Sequence, residues 1–295
     1  MNSSCRLMAN AKINLCLNVK NRRPDGYHNI QSVMQSITLY DIVELTLKSK
    51  PGINTEFLNA DIGQENSAFC AAEMFYKKTD VQGGVDIKIT KQIPICSGMG
   101  GGSSDAAAVL YGLNALYGCP LSKTWLLSIG ASIGADVPFC LTGGTAAVTG
   151  LGEVVQPLPP LKSLTTVIIK HHKKESTAQM YKKLDDVLHE GNKVSCDDRN
   201  TFNVITESLL LKDRKQAFLK CSNDFLHVSD CFEKQKEIID MLYKNGAELS
   251  GLSGSGPAIF GIFKEAPPKE FLDLLKVRFE SVFVCKTAEN GIIQI

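Results

Sequence analysis

Residues 11–19 read A-K-I-N-L-C-L-N-V, so that Ile13, Leu15, Leu17 and Val19 alternate with Lys12, Asn14, Cys16 and Asn18. A period of two predicts a half-buried strand, with Lys12 and Asn14 side by side on the face turned away from the core. Short apolar runs at 42–47, 85–90, 143–148, 166–170, 258–263 and 282–286 predict further strands. At 66–77 the spacing becomes helical, with Ala68, Ala71, Ala72 and Phe75 on one face. At 106–117 Val109, Leu110, Leu113, Leu116 and Tyr117 do the same. Helices are also predicted over 123–133, 177–190, 201–210, 214–220, 229–244 and 269–279, with Gly246 where a C-terminal glycine belongs. Pro24-Asp25-Gly26 marks a loop over 21–29, and 134–139 reads as a turn. Three prolines within 156–160 mark a domain boundary, giving domains over 1–158 and 159–295. The class is α/β, with an α+β second half.

Composition adds exclusions. Apolar residues make up 44% of the 295 and charged residues 21%, as in a soluble globular protein. A net charge of +1 provides no bulk field for nucleic acid or an anionic membrane, so neither is expected as a partner. The longest charge-free stretch, 106–122, is broken by glycines and Pro120 and is shorter than the ~20 apolar residues of a membrane span. Residues 1–10 lack the apolar core of a secretory signal. Ten cysteines are scattered without C-x-x-C spacing, which predicts small packing residues in a reducing cytoplasm and no metal site. Cys96 is read in the same way.

The candidate chemistry lies in two loops. Residues 97–104, S-G-M-G-G-G-S-S, place four glycines and three serines between an extended Ile93-Pro94-Ile95 segment and a helix. Glycine lets backbone amides approach a ligand, and a helix start adds unpaired N–H groups and the positive dipole end, which together cradle phosphate. This is neither a Walker A loop nor a dinucleotide fingerprint, and no H-R-D or D-F-G set accompanies it. A second glycine-serine loop at 250–256 suggests that phosphates are approached from two sides. Taken alone, Lys12 reads as a solvated lysine and Asp136 as a turn residue. A carboxylate beside a lysine near the glycine loop would supply what phosphoryl transfer needs. The five histidines show no H-x-x-x-H spacing, and His171-His172 reads as solvated surface.

In order along the chain stand A-K-I-N-L at 11–15 with R-P-D-G-Y-H at 23–28, P-I-C-S-G-M-G-G-G-S-S-D at 94–105, G-A-D-V-P-F-C at 134–140 and L-S-G-S-G-P at 252–257. This set resembles the GHMP kinases over nearly the whole chain. Asn10 departs from the proline frequent there, and Met99 from leucine.

The resemblance implies a two-lobed fold, with a ribosomal-protein-like N-terminal lobe, a ferredoxin-like C-terminal lobe and the active site between them. It implies ATP as co-substrate, Mg²⁺ accompanying the nucleotide, and a cytidine diphosphate-linked methylerythritol as acceptor. ATP would bind along Pro94, Ile95, Cys96, Ser97, Gly98, Met99, Gly100, Gly101, Gly102, Ser103 and Ser104, its triphosphate along Gly98 to Ser104, with Asn66 and Lys91 near the adenine. Ser104 is the one candidate metal ligand. Asp136 would take the acceptor's proton and Lys12 would orient Asp136. Asn14 would place the methylerythritol end. His28 would hydrogen-bond a cytosine held between Tyr27 and Tyr181. Another small-molecule kinase of the superfamily and a catalytically silent nucleotide-binding protein are rival readings, as is an RNA-binding lobe, which the net charge of +1 disfavours.

Overall fold

A computed structural model describes residues 3–171, 175–189 and 201–295. A seven-stranded sheet forms the first lobe from β1 (Ser4–Arg22), β2 (His28–Lys48), β3 (Gly52–Leu58), β4 (Gly84–Thr90), β5 (Thr145–Gly150), β6 (Val154–Leu158) and β11 (Ile292–Gln294). One face carries α1 (Ser67–Thr79), α2 (Gly101–Leu116), α3 (Lys123–Ile133) and α4 (Val137–Thr142). Leu7, Leu45, Phe75, Ile87, Leu110 and Phe139 are buried between these helices and the sheet.

The second sheet contains β7 (Thr165–Lys170), β8 (Leu249–Leu252), β9 (Ala258–Phe263) and β10 (Ser281–Lys286) in the order β10-β7-β9-β8, every neighbouring pair antiparallel. That is the strand order of a ferredoxin-like sheet. Around it lie α5 (Thr177–His189), α6 (Thr201–Leu210), α7 (Arg214–Phe218), a 3₁₀ turn (Asp224–Val228), α8 (Phe232–Lys244) and α9 (Lys269–Arg278).

The alternation read at 11–19 is present, but both of its faces are buried. Ile13, Val33 and Ile37 of the first sheet share one apolar core with Ile168, Phe260 and Ile262 of the second. Lys12, Asn14 and Asn18 are covered as well. Register shifts at Asn10/Lys12 and Asn14/Cys16 let β1 re-aim its side chains where the lobes meet.

Several boundaries differ from the sequence reading. The proline-rich run is partly strand β6, which pairs only with β5, and an edge strand tolerates Pro157. β3, β8 and β11 were not foreseen, being short or rich in polar residues. β11 pairs Leu7 with Gln294 and Met8 with Ile293, so the chain's last strand belongs to the first sheet. The predicted turn at 134–139 leads into the six-residue helix α4, started by Pro138 in its first turn. His172 and Cys196 lie outside the described residues. Among those described, Cys16 and Cys140 are buried as expected, whereas Cys96 and Cys119 are exposed. No described helix is long and apolar enough to cross a membrane.

Candidate active site

The first glycine loop is pinned on every side. Met99 is fully buried in the shared core and its carbonyl accepts from Lys12 N at 3.0 Å. Ala258 N donates to Ser97 O at 3.0 Å, Ser253 Oγ to Gly98 O at 3.0 Å, and Lys170 Nζ to Ile95 O at 2.9 Å. The second loop thus holds the first in place, and Asn223 Nδ2 holds the second by donating to Leu252 O at 2.7 Å and Gly254 O at 2.9 Å.

Gly98 has φ +80°, and a Cβ there would lie 2.2 Å from Ser253 O. Gly98→Ala is therefore expected to cost at least ~1–2 kcal/mol from backbone handedness alone. It should also raise the KM for the nucleotide, which thermal unfolding and steady-state kinetics would register together.

α2 begins at Gly101, five residues before the predicted start at 106. Burial of the following Ser104–Leu110 turns outweighs the poor helix propensity of the glycines. Its N-cap, Gly100, is left-handed at φ 71° and offers no side-chain cap, so the first-turn amides face the cleft unsatisfied. Ser103 lines the cleft. Ser104 does not: it is fully buried and its Oγ donates to Asn10 O at 2.7 Å, which removes it as a phosphate or metal ligand. Cys96, expected as a packing residue, is exposed at φ 52° and lines the cleft, because the loop turns outward there.

Lys12 is buried, its side chain 5% exposed, with Nζ 2.7 Å from Asn14 Oδ1 and 3.2 Å from Asp136 Oδ2. Asn14 is oriented in turn: its Nδ2 donates to Ser32 Oγ at 2.9 Å, and Ser32 Oγ donates to Cys16 O at 2.6 Å. This relay turns the amide oxygen toward the ammonium. Asp136 occupies the N-cap position of α4 without making a cap bond, so its carboxylate remains directed at Lys12. A Cβ on Gly100 would touch the Lys12 stem at 3.0 Å, so glycine is what lets the lysine lie directly beneath the loop. The pair lines a cavity of about 520 Å³ together with Asn14, the loop, Tyr181, Phe225 and Ser255.

Two residues expected near the adenine carry structural bonds. Asn66 caps α1: Oδ1 accepts from Ala68 N and Phe69 N at 3.0 Å each, and Nδ2 donates to Thr55 Oγ1, Gly63 O and Gln64 O. The Lys91 ammonium is buried between Asp41 and Asp105, 2.6 Å from the latter. Asp41 also accepts from Gln92 N at 2.6 Å and Ile93 N at 2.8 Å, which fixes the extended lead into the loop. Burial pushes the Asp105 carboxyl up to about 7 against the pull of Lys91. Both residues border the cavity, but their polar groups are already engaged.

Tyr27 is 66% exposed and does not line the cavity. His28 is buried and stacks on Tyr181, with ring centroids 4.9 Å apart and planes at 12°; Phe225 meets Tyr181 edge-on at 5.0 Å. Burial and the nearby Asp136 charge raise the Tyr181 phenol to about 12, so it is neutral at physiological pH. The structure thus joins Tyr181 to His28, while Tyr27 stands apart. Asp41, Ser32, Asn223, Ser253 and Asp185 were missed as contributors. Only Ser253 lay within a stretch already singled out; the others carry no local pattern.

Residues 66–144 match the model of the GHMP kinases N terminal domain and residues 207–276 that of the GHMP kinases C terminal domain, the class that this fold and cleft define. A 4-diphosphocytidyl-2-C-methyl-D-erythritol kinase of Caldicellulosiruptor saccharolyticus is 35% identical over 96% of this chain and 97% of its own. That of Carboxydothermus hydrogenoformans is 41% identical over 87% of each. A crystal structure of a 4-(cytidine 5'-diphospho)-2C-methyl-D-erythritol kinase superposes with a TM-score of 0.77 at 28% identity, covering 96% of this chain and 99% of the other. The chain belongs to the family of these kinases within the GHMP class. A homoserine kinase of Cytophaga hutchinsonii has a TM-score of 0.76 at 19% identity, covering 100% of this chain and 98% of its own, a likeness of fold.

Proposed function

We infer that the chain transfers the γ-phosphoryl group of ATP to the 2-hydroxyl of 4-diphosphocytidyl-2-C-methyl-D-erythritol, giving the 2-phosphate and ADP, in the non-mevalonate route to isoprenoid precursors. The observation that carries this reading is the pair of buried Lys12 and half-buried Asp136, 3.2 Å apart, lining the cleft beside the start of α2. The loop amides and the helix dipole hold the phosphates. The acceptor hydroxyl loses its proton to Asp136 as its oxygen bonds to the γ-phosphorus and the bond to the β–γ bridging oxygen breaks. Lys12 keeps Asp136 aimed, and balances charge on the phosphoryl group in flight.

Asn14 places the acceptor's polyol end, and His28 with Tyr181 and Tyr27 engages its base. Magnesium enters as part of the co-substrate, MgATP. The Ser104 hydroxyl, the one candidate protein ligand for it, donates to Asn10 O. The reaction is placed in the cytoplasm.

ADP release, coupled to a reporter enzyme, tests the reading with the cytidyl acceptor, homoserine, mevalonate, galactose and no acceptor. Turnover with the cytidyl compound alone is expected. Turnover with a different acceptor would keep the glycine loop, Lys12 and Asp136 but discard the cytosine pocket. A protein that binds ATP and turns over nothing would be a silent nucleotide-binding protein.

A further inference from the structure

We propose that Asp185 is a positioning residue that makes the acceptor site read the exocyclic amino group of cytosine, by fixing the tautomer of His28; this rests on the acceptor proposed above. His28 Nε2 lies 2.7 Å from Asp185 Oδ1, and Arg22 Nη1 is 3.9 Å from the other carboxylate oxygen. The carboxylate oxygen accepts at this distance, which puts a hydrogen on Nε2. In the Nε2–H tautomer Nδ1 is a lone-pair acceptor, and none of the described residues donates a hydrogen bond to it.

The direction of that lone pair matters. It lies in the plane of the imidazole, and that plane is within 12° of the Tyr181 ring. A flat base bound edge to edge with Nδ1 extends the imidazole layer and lies parallel to the same aromatic face. Tyr181 and Asp185 are four residues apart on α5, one turn of a single helix, so one element carries both the stacking ring and the carboxylate. Phe225 holds Tyr181 from the side.

Cytosine presents an amino N–H at the position where uracil presents a carbonyl oxygen. The Nδ1 lone pair attracts the first and opposes the second. Without Asp185, the imidazole can place its hydrogen on Nδ1 and accept either base.

Two measurements test this on the intact protein. The ¹⁵N shifts of His28, recorded without acceptor, should show the Nε2–H tautomer in the wild type and a mixed population in Asp185→Ala. The ratio of kcat/KM for the cytidyl acceptor to that for its uridyl counterpart should be roughly 10–100 in the wild type. In Asp185→Ala it should fall to within a few-fold of unity, through the acceptor KM and not the ATP KM. Asp185→Asn, whose amide oxygen still accepts from Nε2, should restore part of the ratio. A wild-type ring carrying its proton on Nδ1, or on both nitrogens at neutral pH, would overturn the proposal, as would undiminished discrimination in Asp185→Ala. A wild type that turns over neither pyrimidine, with the tautomer as stated, would instead sink the acceptor assignment and leave the His28–Asp185 geometry standing.

Discussion

Asp136→Asn is expected to lower kcat by ~10²–10⁴-fold, the usual worth of a general base, while leaving the melting temperature close to wild type. The carboxylate makes no cap bond and its side chain is 29% exposed, so little of the fold depends on its charge. Lys12→Met should also act mainly on kcat, since the ammonium steadies Asp136 and the phosphoryl group without holding the loop through its side chain. The loop bond from position 12 is made by the backbone amide, to Met99 O, and survives the change. The two losses should not add in the double variant, because each residue depends on the other. Steady-state kinetics on the three variants, beside thermal unfolding, would decide the matter. Near-wild-type turnover in Asp136→Asn would remove it from the chemistry.

Lys91→Met is expected to destabilise the protein by ~3–5 kcal/mol, the cost of leaving buried charge without its partner. Asp41 and Asp105 would then face each other in the core with no cation between them. Denaturant titration checks this. Unchanged stability with only a raised ATP KM would instead make Lys91 a plain nucleotide contact.

The pH dependence carries a matching sign. The Asp105 carboxyl stands near 7 when folded and ~3.9 in an unfolded chain. Between those values the folded form holds a proton that the unfolded form has released. Stability from this group therefore falls as pH rises from about 4 to 7 and is level above that. Asp105→Asn should abolish that slope.

Much of the site was readable because glycine and charge leave local traces. The S-G-M-G-G-G-S-S loop marked a wall of the cavity, and the alternation at 11–19 put Lys12 beside Asn14. What the sequence could not supply was the opposite wall. Nothing around Ser32 or Asn223 marks them as anchors, since their partners lie at a distance in the chain. The helix at 101 was read late because glycine is a poor helix former, and only tertiary burial reverses that preference. Lys12 looked solvated because one strand's alternation assumes one core, whereas β1 is covered by both lobes. Asn66 and Lys91 were carried over as nucleotide contacts by resemblance, which transfers position but not the bonds a side chain already makes.

The strand at 292–294 closes the first sheet from the far end of the chain, so residues 159–291 form a loop bracketed by one lobe. This orders events during synthesis. The second sheet can assemble once its own strands have emerged, since β7 to β10 are contiguous in the chain. The first sheet cannot be finished until Ile293 reaches Met8, a contact with nearly the greatest sequence separation the chain allows, and such contacts form late. The start of β1 must therefore leave the ribosome long before the strand that covers its edge, and its exposed edge through that interval is where a chaperone would find a use.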